Sequence, residues 1–151
     1  MISQTAEYAL RAIVFLAENA GKPYTIQQIA RTTQVPAGYL AKIMQGLARD
    51  GLVLSQRGLR GGFCLARSPA DLTVYEVVQA VDPIRRITRC PLNDPAHKNA
   101  LCALHRCLDE AAATIEESLR KATVADMISR PIFQRKPESD DSAAASAAAH
   151  T

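Results

Sequence analysis

The sequence predicts a mainly α protein with a small β-hairpin: a winged helix-turn-helix followed by a long C-terminal dimerisation helix. Three observations carry this. Residues 1–50 show three helical segments broken by turn signals. The apolar period then changes to a strand-like one over "LVLSQRGLRGGFCLA". Far downstream, Leu101, Leu104, Leu108, Ile115 and Leu119 keep a 3–4–7 spacing over about twenty residues. The 151 residues suit one domain, or a small domain with an arm, and the 48% hydrophobic content is that of a chain with a real core.

In the first helix, residues 3–19, Ala6, Leu10, Ile13, Val14 and Ala17 share a face, and Gly21 and Pro23 end it. Thr25 with Gln28 three residues later matches a capping box, starting a short helix over about 25–32. A turn over Thr33–Val35 leads to Pro36, which suits the first turn of a helix. Leu40, Ile43, Met44 and Leu47 make that third helix amphipathic as far as Asp50, and Gly51 is its stop. Strands Val53–Gln56 and Phe63–Ala66 flank a loop rich in Gly and Arg. Thr73 and Glu76 form a second capping box ahead of Tyr75, Val77, Val78 and Val81. A cysteine-bearing loop follows, then a helix from near Ala100. A stripe as long as its own needs a partner, supplied by a second copy or by the chain's first helix. Divided in this way, the chain has a DNA-binding domain at 1–82, a sensing loop at 83–99, a dimerisation region at 100–130 and a disordered tail at 131–151 rich in Ala, Ser and acids.

Charge is uneven. Residues 1–67 hold eight Lys/Arg against three acids, whereas residues 68–151 hold ten against twelve. A basic front half on a helix-turn-helix points to double-stranded DNA. The third helix suits the major groove, with its N-terminal residues nearest the base edges. Tyr39 and Lys42 reach phosphates or bases from it, Gln45 reaches a base edge, and Thr25 and Gln28 stand at the start of the preceding helix. Arg57 and Arg60 sit on a glycine-rich hairpin tip suited to a narrow minor groove. Taken alone, that tip reads equally as a tight hairpin with solvated arginines. A dimer of such heads expects a palindromic operator.

No apolar run approaches the ~18 residues of a membrane span, and the N-terminus lacks the basic cluster of a signal peptide, so a cytoplasmic location is expected. There is no G-x-S-x-G, P-loop, H-E-x-x-H or dinucleotide fingerprint, so an enzyme is not expected; a thiol or metal enzyme using Cys102 with His105 is the less favoured alternative, since no orienting group or oxyanion motif follows. A bare protein-interaction module on the same fold is a further alternative.

"CPLNDPAHKNALCALHRC" contains Cys90, Cys102 and Cys107 with His97 and His105. With a helix starting near Ala100, Cys102 and His105 share a face, while Cys107 is about 140° around from Cys102. Cys90, Cys102 and His105 are therefore the expected donors, with His97 as a candidate fourth and Cys107 a weaker candidate. They suit an iron–sulfur cluster or zinc. Without metal, Arg89 and Arg106 favour thiolates open to oxidation. Plain packing of small apolar residues is the remaining alternative. Cys64, on a hairpin strand, reads as a packing residue.

"TAEYALRAIVFLA", "TIQQIARTTQVPAGYLAKIMQGLARDGLVLSQRGLRGGFCLAR", "LTVYEVVQAVD" and the later cysteines resemble the Rrf2 family of bacterial transcription factors over about residues 1–130. The resemblance implies a dimeric winged helix-turn-helix regulator with a long dimerisation helix. In many members it also implies an iron–sulfur cluster (2Fe-2S or 4Fe-4S) sensing cluster, iron, nitric oxide or redox status. Cys90 and Cys102 match the family's first and last cysteines, and His105 matches a histidine ligand of some members. Glu7 lies where some members donate an acidic ligand from the other subunit. The middle cysteine is absent, replaced by LNDPAHKNA, and Cys107 has no counterpart.

Overall fold

A computed structural model describes residues 2–92, 94–130 and 133. The elements run α1 (Gln4–Glu18), α2 (Ile26–Thr33), α3 (Ala37–Arg49), β1 (Val53–Gln56), β2 (Gly62–Leu65), α4 (Val74–Val81), α5 (Ala103–Lys121) and α6 (Val124–Ile128), with 3-10 turns at Pro69–Asp71 and Pro95–His97. This is the expected mainly helical chain with one antiparallel hairpin.

Both expected capping boxes form. Thr25 and Gln28 exchange backbone and side-chain hydrogen bonds at the start of α2, and Thr73 and Glu76 do the same for α4. Each satisfies two otherwise orphaned N–H groups. A third box, Thr123 with Asp126, opens α6, a short helix absent from the sequence reading. Five residues carry too little periodicity to be seen there; α6 is secured by the burial of Val124 and by the Thr73–Thr123 bridge.

The core gathers Ala9, Ile13 and Leu16 of α1, Ile29 of α2, Leu40, Met44 and Leu47 of α3, and Val77 of α4. Arg11 ties α1 to the helix-turn-helix, its Nη1 donating to the Thr33 carbonyl at 3.1 Å. The turn itself depends on Gln34, whose left-handed backbone (φ 57) ends α2. Strand register pairs Val53 with Leu65 and Gln56 with Gly62, so the second strand starts one residue earlier than expected. The hairpin is fastened to the α1–α2 connection by reciprocal backbone bonds between Tyr24 and Phe63, at 2.8 and 2.9 Å.

Two further expectations change. The last long helix starts at Ala103, not near Ala100, because Cys102 is extended (φ −63, ψ 165) and acts as its N-cap residue. Burial of the α5 stripe against the first helix is not observed. α5 packs on α4, while α1 is covered by α2, α3, α4 and α6. Leu104, Leu108 and Ile115 stay exposed, at 61%, 51% and 38%. The expected disordered tail, 131–151, lies outside the described residues apart from Phe133, whose ring meets Phe15 edge-on. No helix among the described residues is long and apolar enough to cross a membrane.

Candidate functional site

The residues expected to face DNA lie on α2, α3 and the hairpin. Lys42 and Gln45 are exposed on α3 because Leu40, Ile43, Met44 and Leu47 turn the opposite face into the core. Tyr39 is 43% exposed, yet its ring packs edge-on against Tyr8 and its hydroxyl lies 2.6 Å from Thr5 Oγ1. Its position is thus held from α1, while a hydroxyl lone pair remains for a further bond. Thr25 and Gln28 are exposed but each has one oxygen occupied in the capping box. Arg57 and Arg60 project from the exposed hairpin tip beside Leu59, which is fully solvated. Gly61 lets this tip close, since a Cβ there would collide with the Gln56 and Gly58 carbonyls. Arg49 was not singled out from the sequence. It joins Thr5, Tyr39 and Lys42 along a groove of about 230 Å³ between α3 and the end of α4, so its cation extends the basic edge of α3. Only the packing of α4 reveals that placement.

The second site is the loop between α4 and α5. Cys102 Sγ lies 3.1 Å from His105 Nδ1, and Cys90 Sγ lies 3.6 Å from the same nitrogen. Donor atoms of Cys90, Cys102 and His105 all fall within 4.8 Å of one another. Cys102 reaches His105 because an N-cap side chain faces the third residue of its helix. Cys90 arrives from the other end of the loop. Arg86 secures that segment, making a two-pronged contact with Asp109 of α5 at 2.7 Å for each prong, and Ile87 N–H donates to the same carboxylate at 2.8 Å. The Arg86 guanidinium, then the Ile87 N–H, hold the Asp109 carboxyl down at about 2. Arg86 and Asp109 were missed in the sequence because twenty-two residues separate them.

Of the remaining sequence candidates, His97 approaches the group from one side, its Nδ1 3.7 Å from Cys90 Sγ, but is not among the donors within 4.8 Å of one another. The Pro95–His97 turn that presents it is capped by Asp94 Oδ1, which accepts from Ala96 N–H at 2.8 Å. Cys107 is exposed and outside the group. Glu7 belongs to α1, ion-paired with Arg11 at 2.6 Å, and is not among the donors of its own chain. Cys64 is half-buried on β2, accepting a long contact from Gln56 Nε2 at 3.9 Å. The Leu92 backbone N–H beside Cys90 holds that thiol below its ordinary range.

The model of the Rrf2 family, described as an iron-dependent transcriptional regulator, matches residues 2–130. The chain belongs to the Rrf2 family. An rrf2-like HTH-type transcriptional regulator of Rhodobacter capsulatus is 30% identical over 138 residues, covering 85% of this chain and 92% of its own. One from Aquifex aeolicus is 29% identical over 131 residues, covering 85% and 91%. Among solved structures, CymR, the global cysteine regulator of B. subtilis, superposes with a TM-score of 0.71 at 25% identity, covering 87% of this chain and 98% of its own. T. potens IscR does so at 0.69 and 27%, covering 85% of each chain. This Rrf2 chain is thus a transcriptional regulator of the helix-turn-helix type, with the winged fold of those neighbours. Its thiols and imidazole are chemically suited to the iron that the family description implies: soft sulfur and borderline nitrogen donors, converged in one place.

Proposed function

We propose that this Rrf2 protein is a homodimeric, sequence-specific DNA-binding regulator of the cytoplasm, with no enzymatic activity. Residues 1–82 read a palindromic operator, 83–99 sense, and 100–130 dimerise. In this reading α3 lies in the major groove with Tyr39, Lys42 and Gln45 toward the DNA. Thr25 and Gln28 meet the backbone at the start of α2, and Arg57 and Arg60 enter the flanking minor groove. Iron–sulfur, redox or nitric oxide status is sensed through Cys90, Cys102 and His105. Cys107 and a Glu7 donated by the second subunit are subsidiary candidates.

One observation carries the sensing half: three donor atoms within 4.8 Å at the joint between reading head and α5, in a chain of this family. Forming or breaking ligand bonds there alters the loop that sets α5 relative to α4. Two arrangements of the dimer with different operator affinity are all that regulation needs. The lowered Cys90 thiol supports a second reading on the same fold, in which thiol oxidation without metal is the signal.

Gel-shift titration of the promoter DNA upstream of its own gene tests both halves. Binding weakens steeply with salt, and Arg57→Ala with Arg60→Ala lowers the slope of log K against log salt by about two, roughly 0.9 per lost phosphate contact. An unchanged slope removes the wing from the interface. Nitric oxide or peroxide changes the shift of the native protein and not that of Cys102→Ser; an equal response in both removes the sensor.

A further inference from the structure

The centre at the α4–α5 joint differs from a cluster in how its donors are spaced. A two-iron cluster distributes four protein ligands as two pairs on separate irons, and a Rieske-type centre with two histidines places both imidazoles on one iron. Each imidazole is then remote from the thiolates of the other iron. Here the His105 imidazole lies between the two thiols, and the His97 imidazole reaches one of them. His105 Nδ1 lies 3.1 Å from Cys102 Sγ and 3.6 Å from Cys90 Sγ, and His97 Nδ1 lies 3.7 Å from Cys90 Sγ. A single tetrahedral ion with Zn–S of about 2.3 Å and Zn–N of about 2.0–2.1 Å sets sulfur and nitrogen about 3.5 Å apart along each edge. The three observed spacings correspond to three of the six edges of a tetrahedron: Cys90, Cys102 and His105 are all within 4.8 Å of one another, and His97 lies outside that group, reaching it through Cys90. The stretch LNDPAHKNA, which stands where the family's middle cysteine would be, supplies His97 on a turn capped by Asp94.

We infer that Cys90, His97, Cys102 and His105 of one chain form a mononuclear two-cysteine, two-histidine site for Zn²⁺, in place of an iron–sulfur cluster. This rests on the sensing reading of the same loop and names its ligand. All four donors come from one chain: three already lie within 4.8 Å of one another, and His97, held against Cys90, closes onto the ion as the fourth, so the site needs neither Glu7 nor Cys107. The half-buried Cys90 and Cys102 thiolates on such an ion remain open to oxidation, and their oxidation to a disulfide with peroxide as electron acceptor would release the ion.

Anaerobically prepared, metal-free full-length protein is titrated with Co²⁺ as the spectroscopic probe, then with Zn²⁺ in competition. A parallel sample is incubated with iron and sulfide and assayed for acid-labile sulfide. The expected result is one Co²⁺ per chain with tetrahedral d–d bands and thiolate charge-transfer absorbance, displaced by Zn²⁺, and no retained sulfide. His97→Ala weakens Co²⁺ binding by about 100-fold or more, at or beyond the roughly 10–100-fold range of outer-shell substitutions, while Glu7→Gln and Cys107→Ser leave it unchanged. Helical circular dichroism checks that His97→Ala folds; the residue lies outside the buried core. Stoichiometric labile sulfide, or Co²⁺ affinity insensitive to His97→Ala, overturns the inference. Metal binding is read without DNA. An operator shift indifferent to Zn²⁺ would therefore sink the sensing reading and leave the site standing; a redox-responsive shift without metal binding does the reverse.

Discussion

Gly62 carries the attachment of the wing to the helical core. Its φ of 153° lies in the region that side chains avoid, and a Cβ would stand 2.5 Å from the Tyr24 backbone carbonyl. Only glycine admits the paired Tyr24–Phe63 hydrogen bonds at this approach. Gly62→Ala should destabilise the fold by about 1–3 kcal/mol, the cost of a strained backbone, which scanning calorimetry would read as a melting point lower by about 2 °C or more. The glycines of "RGLRGGF" were visible in the sequence as turn formers, but the close approach of Tyr24, thirty-eight residues upstream, was not.

At the scale of elements, capping decided what was legible. The Thr25–Gln28 and Thr73–Glu76 boxes are local patterns, and both helices begin where those patterns place them. Replacing Thr73 by Ala should cost about 1 kcal/mol, measurable as a shift in the urea midpoint at unchanged slope. The joint of α4 and α5 instead rests on Arg86 and Asp109. The Asp109 carboxyl, at about 2, lies below the ~3.9 of an unfolded aspartate. Its contribution is therefore fully present above about pH 4 and is lost as pH falls toward 2. Asp109→Asn should melt below the native protein at neutral pH, and the gap should close between pH 4 and 2. A gap independent of pH would show that the ion pair contributes nothing.

For the molecule as a whole, the exposed Leu104, Leu108 and Ile115 of α5 are the feature one chain cannot account for. Burying a leucine is worth about 1.5–3 kcal/mol, so an apolar stripe backed by the Arg86–Asp109 clamp is suited to a second copy. Leu104→Asp with Leu108→Asp should convert the proposed dimer to a monomer in sedimentation and weaken operator binding, because two linked half-sites bind far better than one. Retention of the dimer would place the interface elsewhere.

Sequence alone determined the order of elements, the inward faces of α1 and α3, the basic charge of the front half and the cysteine–histidine content of the loop. All are consequences of period, capping and composition within short windows. Tertiary structure decided the rest. It set α5 on α4 and left the stripe bare. It delayed the start of α5 so that Cys102 caps His105's turn. It also folded Cys90 onto that turn, with His97 against Cys90 and Cys107 left outside. Each of these depends on contacts between residues far apart in the chain, where chain closure and packing choose the geometry and no local pattern encodes it.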